Sequence, residues 1–201
     1  MTRRTMKTAA VAAAALAVLL TATLASAGVV RGTKGPDDLT GTDQRDRIRA
    51  FGGDDNVNAL AGRDFVRAGR GDDTVDAGPG HDVVWGWRGN DTLSGGPGGD
   101  LIFSQQGADT VNGGDGPDRL WALSRWDVSR KAGEPADTVN GEKGHDRIYV
   151  RDGEADKVTC GPGRDRVMAD HKDDVANDCE RVRRGRARAR DHEREERGGD
   201  D

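Results

Sequence analysis

The sequence predicts an all-β protein built of short strands joined by tight, glycine-rich loops, and three observations predict it. A nine-residue period runs without a gap from Gly32 to Trp121. Each period holds one large apolar residue between outward-facing neighbours, the alternation of a strand with one covered face. The composition is 33% hydrophobic and 33% charged with 30 glycines, and the mean hydropathy is -0.80. A chain this polar stays disordered unless something besides apolar burial holds it.

Residues 1–27 read as an export signal. Arg3, Arg4 and Lys7 form a basic start, Ala9 to Leu24 an apolar run, and Ala25-Ser26-Ala27 a small-residue cleavage pattern before Gly28. The alternative, a membrane anchor, would need a longer span. The expected product is a secreted, extracellular chain of 174 residues with no transmembrane anchor, about one domain, spanning 28–182 before a charged tail. Residues 28–180 carry 30 Asp and Glu against 20 Lys and Arg, so the negative excess lies in the glycine-rich body.

Four of the ten consecutive nonapeptides read AGRGDDTVD, AGPGHDVVW, GGPGGDLIF and GGDGPDRLW. The sixth position is always aspartate: Asp37, Asp46, Asp55, Asp64, Asp73, Asp82, Asp91, Asp100, Asp109 and Asp118. The eighth is always apolar: Leu39, Ile48, Val57, Val66, Val75, Val84, Leu93, Ile102, Val111 and Leu120. An insertion at 122–131 interrupts the register. Asp137/Val139, Asp146/Ile148, Asp156/Val158 and Asp165/Val167 then complete fourteen copies, with one extra residue before Asp156.

This is the pattern G-G-x-G-x-D-x-U-x, with U a large apolar residue. Over most of residues 32–168 the chain resembles the hemolysin-type calcium-binding (RTX) nonapeptide repeat family. The resemblance implies a right-handed parallel β-roll in which two copies make one 18-residue coil, with Ca²⁺ between loops stacked on the same side. The sixth-position Asp supplies carboxylate oxygen to the metal, and loop carbonyls supply the rest. Partners 18 apart then place Asp37, Asp55, Asp73, Asp91 and Asp109 on one edge and Asp46, Asp64, Asp82, Asp100 and Asp118 on the other. Four gaps on each edge give up to eight sites. Asp137/Asp156 and Asp146/Asp165, spaced by 19, would add two.

The metal-loop glycines in the best-matching block are Gly69, Gly71, Gly78, Gly80, Gly89, Gly96, Gly98, Gly107, Gly114 and Gly116. Glycine suits these positions because it accepts positive φ and lets carbonyls crowd together. Gln44 and Pro135 replace the fourth-position glycine, and Thr33, Thr42, Phe51, Leu60 and Trp87 the second. The block from Asp73 to Asp118 therefore fits best and the sites near Asp46 least. Carboxylates stacked about 5 Å apart repel by about 0.8 kcal/mol in water and about 3 kcal/mol at an effective dielectric near 20. A hard cation with oxygen ligands reverses that sign, and Ca²⁺ tolerates irregular coordination better than Mg²⁺. Metal binding then drives folding.

Positions seven and nine point outward. Odd-numbered copies place Asp38/Thr40, Asn56/Asn58, Thr74/Asp76, Thr92/Ser94 and Thr110/Asn112 there, a solvated face. Even-numbered copies place Phe65, Val83, Trp85, Leu101, Phe103 and Trp121 there, and Tyr149 follows beyond the insertion. An apolar strip of this kind usually has a partner. Three covers fit it: the insertion's Leu123, Trp126 and Val128 or the Cys-containing end; a protein partner or second copy; or a polysaccharide of the cell wall.

Cys160 and Cys179 are the only cysteines, and in an exported chain they predict a disulfide clamping residues 160–180. Residues 183–201 lack apolar periodicity and read as a disordered charged tail. His81 and His145 fall at the variable fifth position, and His171 and His192 join no zinc or triad pattern. No G-x-S-x-G elbow occurs. The expectation is a non-enzymatic calcium-binding repeat protein with no nucleic-acid partner.

Overall fold

The computed structural model describes residues 28–122 and 136–185. The expected export signal, the insertion's Leu123, Trp126 and Val128, and the tail residues beyond 185 lie outside the described residues. Those described form seventeen strands and no helix. One parallel sheet holds β1 (Val29–Arg31), β3 (Arg47–Gly52), β5 (Phe65–Arg70), β7 (Val83–Arg88), β9 (Leu101–Gln106), β11 (Arg119–Trp121), β13 (Arg147–Tyr149), β15 (Arg166–Ala169) and β17 (Arg181–Arg184) in that order. The other holds β2 (Asp38–Thr40), β4 (Asn56–Asn58), β6 (Thr74–Asp76), β8 (Thr92–Ser94), β10 (Thr110–Asp115), β12 (Thr138–Lys143), β14 (Lys157–Thr159) and β16 (Asp174–Val175). The chain alternates between them, so each coil contributes one strand to each sheet. This is a parallel β-roll with an 18-residue coil.

Register follows the period. Val57 pairs with Leu39 and Val75, and Val66 with Ile48 and Val84, each 18 residues away. Across the insertion Thr110 pairs with Thr138 and Arg119 with Arg147, so the faces do not flip. Ala122 is fully buried and its amide donates to the Tyr149 carbonyl, so the extra residues begin after it. Later coils change length: Arg147 pairs with Arg166, Lys157 with Asp174, and Arg166 with Arg181. Pairing runs on to Arg184, so residue 182 falls inside β17.

The core is thin. From Ile48 to Val167 every eighth-position residue of the described copies is at most 1% exposed. The first position at the strand's end is filled by small residues such as Ala50, Ala59, Ala68 and Ala77, also buried. One branched side chain per half-coil is a small apolar payload for so much ordered loop, so the fold leans on what its loops hold. Cys160 and Cys179 are bonded, with Cα atoms 5.2 Å apart, and close the last coils.

The second position of the copy is where the sequence strains the fold. Phe51, Leu60, Trp87, Gln105 and Glu142 keep a left-handed φ of 69–89°, the conformation that Gly69, Gly78, Gly96 and Gly114 adopt at the same position. The coil geometry overrides the preference of these side chains, at about 1–2 kcal/mol for each.

Candidate metal centres

The sixth-position aspartates form two continuous columns. The amide of each donates to Oδ1 of the aspartate one coil on: Asp46 to Asp64, Asp64 to Asp82, Asp82 to Asp100 and Asp100 to Asp118 on one edge, at 2.6–2.8 Å. On the other, Asp37 donates to Asp55, Asp55 to Asp73, Asp73 to Asp91 and Asp91 to Asp109, at 2.8–2.9 Å. Both columns cross the insertion, through Asp109 to Asp137 and Asp118 to Asp146, and continue to Asp156 and Asp165. One oxygen of each carboxylate therefore stitches neighbouring coils together.

The other oxygen is left over. Oδ2 of Asp55, Asp64, Asp73, Asp82, Asp91, Asp100, Asp109, Asp118, Asp146, Asp156 and Asp165 is buried without a hydrogen-bond partner. Carbonyl oxygens crowd the same spaces. The point a Cβ would take on Gly95 lies 2.5 Å from both Asp100 Oδ2 and the Gly113 carbonyl oxygen. On Gly80 it lies 2.1 Å from the Gly62 carbonyl oxygen and 2.7–2.8 Å from both Asp82 oxygens. The nearest atoms around these points are carboxylate and carbonyl oxygens, and such a cluster of acceptors is the donor set of a hard cation.

The electrostatics say the same. Sixteen aspartates are less than a tenth exposed, whereas no lysine or arginine among the described residues is. Buried carboxylates without a counter-charge are unfavourable as anions. Burial, with neighbouring carboxylates adding to it, pushes Asp73, Asp82 and Asp118 up to about 7, and Asp91 and Asp156 to about 8. Asp137 reaches about 9, from burial first and then the adjacent Asp109. Asp55, Asp64, Asp109 and Asp165 shift upward for the same leading reason. Calcium fits such a site, since it replaces the missing positive charge.

The ends of the columns differ from the middle. At the start, Thr42 donates its amide and hydroxyl to Oδ2 of Asp46, and the Thr33 amide donates to Oδ2 of Asp37. Threonine at the second position thus satisfies an oxygen that is orphaned elsewhere. At the far end the columns extend past the fourteen copies. Asp156 donates its amide to Asp173 Oδ1, and Asp165 to Glu180 Oε2. The period misses Asp173 and Glu180 because their coils are shortened; the signal that remains is an acid two residues before Val175 and Val182.

Outside the columns, the Gly99 amide donates to Nδ1 of His81 and the Arg164 amide to Nδ1 of His145, so both histidines brace loops. On the nine-stranded sheet Trp85, Phe103, Trp121 and Tyr149 stack face to face, with centroids 4.2, 4.7 and 4.8 Å apart. Phe65, Val83 and Leu101 lie beside them, half-buried. The rings cover one another's faces. Among the described residues no helix is long and apolar enough to cross a membrane.

In comparisons with known proteins, the model of the RTX calcium-binding nonapeptide repeat family matches residues 31–66, 60–93, 67–102, 88–120 and 132–154. No curated protein and no solved structure matches. The matched segments cover more than half of the chain, their copies are the coils that carry the aspartate columns, and the chain belongs to the RTX calcium-binding nonapeptide repeat family.

Proposed function

We propose that this is an exported protein whose roll folds at neutral pH only when Ca²⁺ fills the loop columns, and which serves outside the cell as a non-catalytic structural or interaction module. The observation that carries the reading is the row of buried, unpartnered Oδ2 atoms beside converging carbonyls, in a fold with too little apolar core to offset their burial. Site affinities of about 10⁻⁴ to 10⁻³ M, the range of extracellular calcium modules, would leave the columns empty in the cytosol and fill them after export. Equilibrium dialysis against calcium tests it: binding should saturate at several ions per chain in step with compaction of the chain. Binding of at most one ion, or a chain equally compact in chelator, contradicts the reading.

A second reading, a binder of an anionic cell-surface polysaccharide, has one observation in its favour. The outward positions of the nine-stranded sheet carry Arg31, Arg47, Arg49, Arg67, Arg119, Arg147, Arg166, Arg181 and Arg183 and no Asp or Glu. Sugar stacking on the aromatic strip is not what favours it, because the ring faces are occupied by one another. Retention on an immobilised polyuronate should then depend on salt and fall at least about tenfold when Arg147, Arg166 and Arg181 become alanine, a loss of about 1.4 kcal/mol. Retention unchanged by that variant removes the reading.

A further inference from the structure

The carboxyl-terminal end holds a group of acids of which the nonapeptide pattern accounts only for Asp156. The copy from Val150 to Thr159 is one residue longer than the others, and it buries Asp152, which is 8% exposed. Oxygens of Asp152, Glu154 and Asp156 lie within 4.8 Å of one another. Asp170, 5% exposed, belongs to the next coil and acts electrostatically on Asp152. Each of the three aspartates has one committed oxygen. Asp152 Oδ1 accepts the Glu154 amide, Asp156 Oδ1 the Asp137 amide, and Asp170 Oδ1 the Lys172 amide. The second oxygen of all three is buried and unpartnered.

The nearby cations are engaged with carbonyls. Lys172 donates to the Gly153 carbonyl, and Arg184 to the carbonyls of Asp170 and Asp173. Each oxygen of Asp173 accepts one amide, from Asp156 and from Asp170, which fixes the segment carrying Asp170 against the longer copy. Among the described residues, three orphaned carboxylate oxygens from two consecutive coils thus have no hydrogen-bonded positive group to answer them.

Resting on the calcium reading of the columns, we propose a further cation site of different make, in which one Ca²⁺ is held by the side chains of Asp152 and Asp156 within the cluster they form with Glu154, and Asp170 of the next coil adds negative charge to it. Each repeat site has one aspartate per loop and takes its other oxygens from the backbone. This one gathers several carboxylates, and higher ligand charge tightens calcium binding. It fills at about tenfold lower calcium than the repeat sites, and it ties the longer copy to the short coil that leads into β16.

Crystals of the chain grown in calcium and measured at a wavelength where calcium scatters anomalously test the placement. The expected peak lies about 2.4 Å from Oδ2 of Asp152 and of Asp156. Peaks along the Asp82–Asp118 loops with none at Asp152 overturn this site and leave the columns standing, whereas peaks nowhere overturn both. A calorimetric titration tests the strength. Asp152→Asn with Asp170→Asn should remove the class of binding seen at lowest calcium and leave the remainder. Asp115→Asn, at an exposed acid paired with Lys143, should leave both classes. A double variant whose isotherm overlays the unaltered chain overturns the proposal. If the variant does not fold, the crystallographic peak decides, since it needs no substitution.

Discussion

In chelator at about pH 8 the chain is unfolded, and acidifying the same solution to about pH 5 produces the β-roll without any metal. An unfolded aspartate titrates near 3.9, whereas in the metal-free roll Asp73, Asp82 and Asp118 titrate at about 7, Asp91 and Asp156 at about 8, and Asp137 at about 9. Between those limits the folded chain holds more protons than the unfolded one, so stability falls as pH rises. The contribution is complete below about 4 and is lost as pH climbs through about 7 to 9. Calcium has the opposite dependence: it needs the ionised carboxylate, so the affinity of the roll for calcium falls as pH drops and protons take the same oxygens. Circular dichroism across pH in excess chelator reads the first effect. A metal-free chain that is β-rich at pH 8, or that gains no β-structure at pH 5, contradicts the account.

Gly98→Ala should be among the most damaging single substitutions in the loops, and Gly35→Ala, at the equivalent position, nearly silent. A Cβ on Gly98 would sit 1.6 Å from the Gly80 carbonyl oxygen of the neighbouring coil, and that oxygen belongs to backbone that cannot swing away. A Cβ on Gly35 meets nothing within 4 Å. Overpacking of a sealed interior costs about 3 kcal/mol, which corresponds to more than a hundredfold in the folding equilibrium; a surface change stays within about 0.5 kcal/mol. The calcium midpoint of folding should rise steeply for Gly98→Ala and hardly move for Gly35→Ala. Equal midpoints would mean that the loops are not packed coil on coil.

Much of this architecture is legible in the sequence because each coil repeats one set of constraints. The apolar eighth residues are the core, from Ile48 to Val167, and the sixth-position aspartates stack at the spacing their period dictates. What escapes is whatever departs from the period. Val29–Arg31 forms a strand before the first copy begins, and Asp173 and Glu180 extend the columns through shortened coils. The division of labour within each carboxylate is equally hidden, since a sequence names the residue and not which oxygen meets the next coil's amide. Residue type also misleads at the second position: Phe51, Leu60 and Trp87 look like breaks in the pattern, yet each holds the glycine conformation. The aromatic strip reads in sequence as a face that needs a cover, and what the sequence does not show is that Trp85, Phe103, Trp121 and Tyr149 stack upon one another.

The most direct test of metal-driven folding is far-UV circular dichroism of residues 28–201 during a calcium titration at neutral pH, with magnesium as the control. The account predicts a disordered spectrum in chelator that converts cooperatively to a β-spectrum with calcium and not with magnesium. A β-spectrum already present in excess chelator, and unchanged by calcium, would contradict it.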